Sequence, residues 1–474
     1  MKVFLFFLIA YSTVYSQYLE DAIRLSDTRN PVTTREAALG TSYYGILNDG
    51  TAISYNPAGI ALIKQNELSF GLNVNASKSN DINYLNIANN SSDSKSSISN
   101  FSLVLPYAQN WSLGLAYFRE ASFSDYLSFD VFNTTNSAIQ NEAEYGFNDP
   151  NANFAVVNEL SLGRNTPIRG NVQQRLRLRE RGSIHNLSFA MGYNWLNKIA
   201  FGASVSGKFG SYIMDQVFEE EDINKVYRTF VDDYSDLDFW ILGMNETIDQ
   251  QVTGVKAELG IIGNLNDKGR ISFGITLPQV LEVDQIFSSL DTAYYDNGDA
   301  LDFRRDGRIN YSIILPVQFN FGASYNFDPL TLTAGIKYTD LSATEFQSTA
   351  SELNSLNFEA IDKLTYQLEY GFGAEFVMPG LPMALTGSYS AISSPYQIRR
   401  RNLLSPNSLD TVTDTRIIGF GLSYFLGKSW RFDLSGNYQM FERDRTIVLN
   451  GTDYNGMIID SKILNIMMGM SFRF

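Results

Sequence analysis

The sequence predicts an all-β fold: a transmembrane antiparallel β-barrel of about fourteen strands with an N-terminal hatch, or plug, inside its lumen. Three observations predict it. Apolar and polar residues alternate with a period of two through most of the chain after Glu67. Short turns and long loops alternate between those segments. The composition is aromatic and poor in charge, with 27 Tyr and 33 Phe against 18% Asp, Glu, Lys and Arg. No later stretch holds the roughly 18 consecutive apolar residues of a membrane helix. A chain of this kind that crosses a bilayer must close its backbone hydrogen bonds as a barrel.

Residues 1–16 read as a signal peptide. Lys2 precedes an apolar run from Val3 to Ala10, and Val14 and Ser16 occupy the small-residue positions of a cleavage before Gln17. Residues 17–66 read as an N-terminal helix and the hatch. From Tyr18 to Asp27 a short helix places Leu19, Ala22 and Ile23 on one face, and Asn30-Pro31 ends it. The stretch from Ala38 to Ala61 is punctuated by Gly40, Gly45, Gly50 and Gly59 and turned at Asn56-Pro57. Compact irregular backbone of this kind is tolerated at membrane depth only inside protein or a watery lumen. The other reading of the same residues is a periplasmic tail.

Residues 67–474 read as the barrel. In the last segment Leu464, Ile466, Met468, Met470, Phe472 and Phe474 share one face, with Asn465, Gly469, Ser471 and Arg473 opposite. Trp430, Phe432, Leu434, Tyr438 and Met440 alternate in the same way with Arg431, Asp433, Ser435, Asn437 and Gln439. Strands are expected near 67–76, 96–107, 111–129, 184–196, 198–217, 248–264, 269–288, 307–327, 330–348, 360–378, 382–398, 410–428, 429–449 and 461–474. The longest loops are expected from Asp130 to Ser183 and from Phe218 to Thr247. Short turns on one side and long loops on the other put both termini on the short-turn, periplasmic side of an outer-membrane barrel. A soluble sandwich would carry far more Lys and Glu on its outer face, whereas the polar faces here are Ser, Asn, Gly and Thr.

Catalytic chemistry finds little support, so no enzyme, cofactor or metal is expected. The absence of Cys excludes disulfides, thiolate metal sites and a lipoprotein anchor. The single histidine, His185, falls in register with Leu187, Phe189 and Met191, on the lipid side. Glu369 and Glu375 share a lumen face but lie too far apart along an extended strand to share a proton. The acidic runs Glu219 to Asp222 and Asp232 to Asp238 lack the Gly and terminal Glu spacing of a calcium loop. A net charge of −15 argues against nucleic acid as a partner. Arg175, Arg177, Arg179 and Arg181 alternate just before the fourth strand and project to the lipid side. Contact with lipopolysaccharide phosphates is one reading, a solvated rim the other.

Leu39-Gly40, Gly45, Asp49 and above all Asn56-Pro57-Ala58, followed by Gly59, resemble the hatch of the FadL-type outer-membrane transporters of long-chain fatty acids and other hydrophobic compounds. Glu20-Asp21-Ala22-Ile23-Arg24 resembles the Bacteroidota version of that family. The resemblance covers essentially the whole mature chain. It implies a fourteen-stranded barrel that binds hydrophobic molecules such as fatty acids from outside and releases them by hatch rearrangement, with lateral escape at a kinked third strand. In this chain the third segment loses its alternation at Phe118-Arg119-Glu120, where a bulge is expected. The terminal Phe472 and Phe474 resemble the aromatic signal read by the barrel-assembly machinery. The resemblance also leaves room for another role, a non-transporting accessory or shuttle subunit of an outer-membrane protein complex for secretion or barrel assembly.

Overall fold

The computed structural model describes residues 16–26, 30–140, 166, 168–227, 239–296, 298–348, 355–397, 411–450 and 453–474. Of the signal-peptide reading of residues 1–16 only Ser16 lies within them, and the acidic run 232–238 lies outside. Fourteen antiparallel strands close into one barrel. They are β1 (Glu67–Tyr84), β2 (Ile87–Ala108), β3 (Trp111–Asn133), β4 (Val172–Trp195), β5 (Ile199–Glu221), β6 (Phe239–Asn264), β7 (Gly269–Thr276 with Gln279–Tyr295), β8 (Ala300–Leu315 with Gln318–Asn326), β9 (Leu330–Asp340 with Glu345–Gln347), β10 (Tyr366–Val377), β11 (Met383–Ile392), β12 (Thr411–Val412 with Thr415–Leu426), β13 (Trp430–Asn450) and β14 (Asp453–Arg473). β1 pairs with β14 from Glu67↔Arg473 to Asn83↔Ile458 and closes the ring. Leu277-Pro278 and Leu315-Pro316 fall at the interruptions of β7 and β8, and Pro106 at a register shift of β2, as expected where a ladder donor is missing.

Several strands run well past their expected ends. β4 begins at Val172 rather than near 184, and β6 at Phe239 rather than near 248. The expected loop after β1 is instead a hairpin turned at Leu85-Asn86, both at positive φ. The physical reason is an inversion of polarity along the wall. Near the short turns, Leu187, Phe189 and Met191 of β4 and Phe201, Val205 and Phe209 of β5 are exposed outward, while Ser188, Ser204, Ser206 and Lys208 are buried inward. Higher up the alternation continues with the opposite sign. Leu176, Leu178, Tyr212, Met214, Leu281 and Ile313 are buried inside, and Arg177, Arg179, Arg304, Asp306 and Arg308 face out. A bilayer crossing needs about 9–11 strand residues, and β5 has 23. Its upper half is therefore an ordinary water-facing sheet with an apolar inside.

The N-terminal chain lies within this wall. Helix α1 (Ser16–Ser26) packs in the upper lumen, with Leu19, Ala22 and Leu25 joining the apolar core formed by the upper strands. Helix α2 (Thr34–Leu39) and three 3₁₀ helices, Gly40–Gly45, Gly50–Ser54 and Pro57–Leu62, fill the lower lumen around a second core of Leu39, Tyr43, Leu47, Ile53 and Ile60. Phe474 ends at the short-turn side, where its N–H donates to Asn66 O. Ser16, by contrast, starts deep inside the barrel and not at the short-turn mouth, because the apolar face of α1 finds apolar partners in the upper lumen. Helix α3 (Ser355–Lys363), between β9 and β10 in the chain, packs on the Leu341–Ala343 turn and on Glu345–Gln347 of β9, on the long-loop side, and touches α1.

Candidate transport lumen

In the lower lumen the plug meets the wall in close backbone contact. Asn56 is fully buried and caps the Pro57–Leu62 helix, its Oδ1 accepting from Ala58 N at 3.2 Å, while its Nδ2 donates to Phe273 O of β7 at 2.9 Å. Pro57 occupies the first helical turn, where its missing N–H costs nothing. This turn lies so close to β5 and β6 that a β-carbon at Gly202 would overlap the Ala58 backbone and one at Gly260 the Asn56 amide. Gly114, Gly192, Gly322, Gly335 and Gly469 face other parts of the plug at comparable range. Inward glycines recurring from strand to strand are thus the wall's complement to the plug. Gly40 ends α2 at φ +52°, a conformation that favours glycine, and lies against Ser390. Gly59 packs on Ala52 and Leu47 within the plug.

Ion pairs bolt the plug to the wall. Arg35 Nη1 lies 2.9 Å from Asp49 Oδ2 and Nη2 lies 3.1 Å from Glu375 Oε2 of β10. Glu67 accepts from Gly50 N at 2.7 Å and from Arg473 Nε at 2.7 Å. Burial works against the Asp49 carboxylate, yet Arg35 and the hydroxyls of Thr51 and Tyr43 hold it down at about 2. Glu36, on the lumen side of α2, is pushed up to about 7 by burial, against a hydrogen bond that its carboxylate accepts from Val32 N–H.

Above the plug runs a belt of buried charge. Lys208 of β5 lies 2.7 Å from Glu120 of β3, Lys256 of β6 lies 3.0 Å from Glu258, and Lys337 of β9 lies 3.0 Å from Glu369 of β10. These residues line a cavity of about 90 Å³ together with Glu36, Tyr44 and Tyr55 of the plug. Glu375, the partner of Glu369 in the sequence reading, is tied instead to Arg35.

At the level of this belt the wall parts. The β2–β3 ladder ends at Asn100↔Phe118. Between Arg119 and Ala121 the β3–β4 register shifts and leaves Glu120 out of the ladder. Beyond that point β2 pairs with β1, and β3 with β4. Side chains bridge the resulting seam: Ser124 Oγ donates to Asp93 Oδ2 at 2.5 Å, Ser91 Oγ to Tyr126 O at 2.5 Å, and Lys78 Nζ lies 2.6 Å from Asp125 Oδ2. A cavity of about 170 Å³ lies behind it, lined by Lys95, Ser97 and Ser99 of β2, by Arg119 and Ala121 of β3, and by Ile23 and Arg24 of α1. Alternation lost at Phe118-Arg119-Glu120 signals the bulge. The separation of β2 from β3 carries no such signal, because both strands keep a partner on the other side.

The remaining sequence-singled residues fall outside this pathway. Arg175, Arg177 and Arg181 do face outward, but each meets an acid of β5: Glu221 at 2.7 Å, Glu219 at 3.7 Å, and Asp215, respectively. That leaves Arg179 of the four without an ion pair among the described residues. His185 is outward too, stacked between Tyr117 and Phe209, with Nδ1 2.7 Å from Tyr117 Oη. Phe472 packs on Trp430 and on Phe474, with ring centroids 4.3 and 5.4 Å apart. Among the described residues no group of three His, Asp or Glu is placed to hold a metal ion.

Solved structures share the architecture along its whole length. A FadL homologue of Pseudomonas aeruginosa superposes with a TM-score of 0.58 at 12% identity, covering 93% of this chain and 98% of that one. The chain has the FadL fold. The toluene transporter TodX of Pseudomonas putida, also of the FadL fold, matches with a TM-score of 0.57 at 12% identity over 94% and 99% of the two chains. The Ralstonia pickettii toluene transporter TbuX gives 0.52 at 15% identity, over 93% and 98%. No family model and no curated protein sequence matches the chain.

Proposed function

We propose that the protein is an outer-membrane channel that takes up hydrophobic molecules, long-chain fatty acids among them, from the cell exterior. One observation carries the reading: an apolar upper chamber abuts an unpaired seam in the wall at the level where a charged belt blocks the straight way down. A hydrophobic molecule entering from the long-loop side finds apolar walls in the upper strands. To continue toward the periplasm it would have to pass Glu120, Lys208, Lys256 and Glu258 and strip water and counter-charges from them, which is costly in a low-dielectric site. The seam between β2 and β3 is the cheaper exit. No backbone ladder need break there, and Ile98 and Phe101 on its outer flank are exposed toward lipid. Hydrophobic uptake also suits the neighbours of the same fold, which are described as toluene transporters.

In this scheme the plug seals the lower lumen against water and ions, and rearrangement at Gly40 and at Asn56-Pro57-Ala58-Gly59 opens it. Lipopolysaccharide contact then falls to Arg179. Phe472 and Phe474 offer the assembly machinery its aromatic edge. The test closes the seam. Asp93→Cys with Ser124→Cys places two thiols where side chains already touch. Oxidation should cut cellular uptake of labelled oleate and toluene at least about fivefold, and reductant should restore it. Unchanged uptake with the disulfide formed would remove the seam from the pathway.

A further inference from the structure

The apolar upper chamber is occupied by the protein's own helix α1, and the contacts of that helix describe a binding site. Asp21, 1% exposed, is held by two groups of the wall, Gln250 Nε2 of β6 at 2.9 Å and the hydroxyl of Tyr311 of β8, and by Arg24 of its own helix at 2.6 Å. Gln285 Oε1 accepts from Gln250 Nε2 at 2.8 Å and fixes the amide. One helical turn on, the Arg24 guanidinium lies 3.6 Å from the centre of the Tyr212 ring, whose hydroxyl donates to Glu180 at 2.9 Å. Leu19, Ala22 and Leu25 fill the apolar walls around these two polar points.

Without α1 the wall would keep an anion cradle at Tyr311 and Gln250. About 4.5 Å further, the rise of three helical residues, it would keep a cation seat at Tyr212 and Glu180. All of these would lie in an apolar chamber. We propose that α1 is a resident stand-in for an amphiphile whose head carries both an anion and a cation, and that such a molecule binds in the upper chamber by displacing α1. A simple fatty acid leaves the cation seat empty, and a neutral aromatic leaves both seats empty. The inference rests on the reading that the upper chamber receives hydrophobic molecules, and it adds which of them the site prefers.

The test weakens the hold of α1 in the full chain with Asp21→Asn and Arg24→Met. Binding is measured in nanodiscs with labelled Nα-dodecanoyl-lysine, which carries a carboxylate and an ammonium, and with dodecanoate, which carries only the carboxylate. The variant should bind Nα-dodecanoyl-lysine at least about tenfold more tightly than the intact protein does, and at least about tenfold more tightly than it binds dodecanoate. A synthetic peptide of residues 16–26 should compete. Adding Gln250→Leu and Tyr311→Phe should erase the preference. If the variant binds both amphiphiles equally, the two-charge site is refuted while hydrophobic capture stands. If intact protein and variant bind Nα-dodecanoyl-lysine alike, α1 is no stand-in. Binding of neither amphiphile to the variant would overturn the chamber reading as well.

Discussion

Arg35 joins two acids that belong to different bodies, Asp49 of the plug and Glu375 of the wall, so its removal takes the main counter-charge from both at once. Breaking a buried pair from one side costs about 3–5 kcal/mol. Arg35→Met should therefore leave a folded barrel with a loosened plug. Planar-bilayer conductance should rise above that of the parent, and a silent, parent-like trace would show that the latch is dispensable. Glu36 gives the seal a pH dependence of defined sign. Its carboxyl is raised to about 7 by burial, with Glu369 as the neighbouring like charge and the Val32 N–H as an opposing hydrogen-bond donor. A raised acid stabilises the folded plug fully below its ordinary value near 4.5 and loses that contribution as pH climbs through about 7. Asp49, held near 2, stays ionised across this window. Leak should grow between about pH 5 and pH 8, and Glu36→Gln should flatten the profile. A pH-independent leak in the parent protein would contradict this.

At the scale of elements, the plug is separable from the wall in principle, because strand ladders alone close the ring. Deleting Ala38 to Ile60 should leave a heat-modifiable barrel that conducts ions and admits small antibiotics. A sealed deletion barrel would assign the seal to other lumen contents, such as α1. Most of the wall was legible in the sequence, since lipid outside and polar lumen inside impose one sign of alternation near the short turns. The upper halves of β4, β6 and β8 were not, because water outside and an apolar chamber inside reverse that sign. Arg175 to Arg181 could be read as one outward face, and the structure pairs their stretch of β4 with β5. The plug announced itself through Asn56-Pro57 and its glycines. Its counterpart, one inward glycine after another along the wall, was visible on the polar faces but gains meaning only when something is known to press against it. The amphipathic face of α1 could be read from Leu19 and Ala22, whereas its place in the upper chamber depends on partners from β6 and β8, more than 200 residues away.

For the whole molecule, we propose from the inversion of polarity that the long strands and α3 lie outside the cell and the short turns in the periplasm. A cysteine at Asn224, exposed beyond the end of β5, should react with an impermeant maleimide on intact cells, and one at Asp267, in the β6–β7 turn, should not. The chain has no cysteine of its own to confuse the result, and labelling at position 267 in sealed cells would invert the topology. The ring is closed by its two chain ends, and Arg473 reaches Glu67 across 406 residues of sequence. So distant a contact is entropically slow to form. The plug, by contrast, is joined to β1 by residues 63–66 alone. It therefore travels with the first strand, and the pairing of β1 with β14 shuts the wall around it. Whatever the lumen holds when those two strands meet is enclosed at that step, and the four-residue tether makes the plug part of those contents.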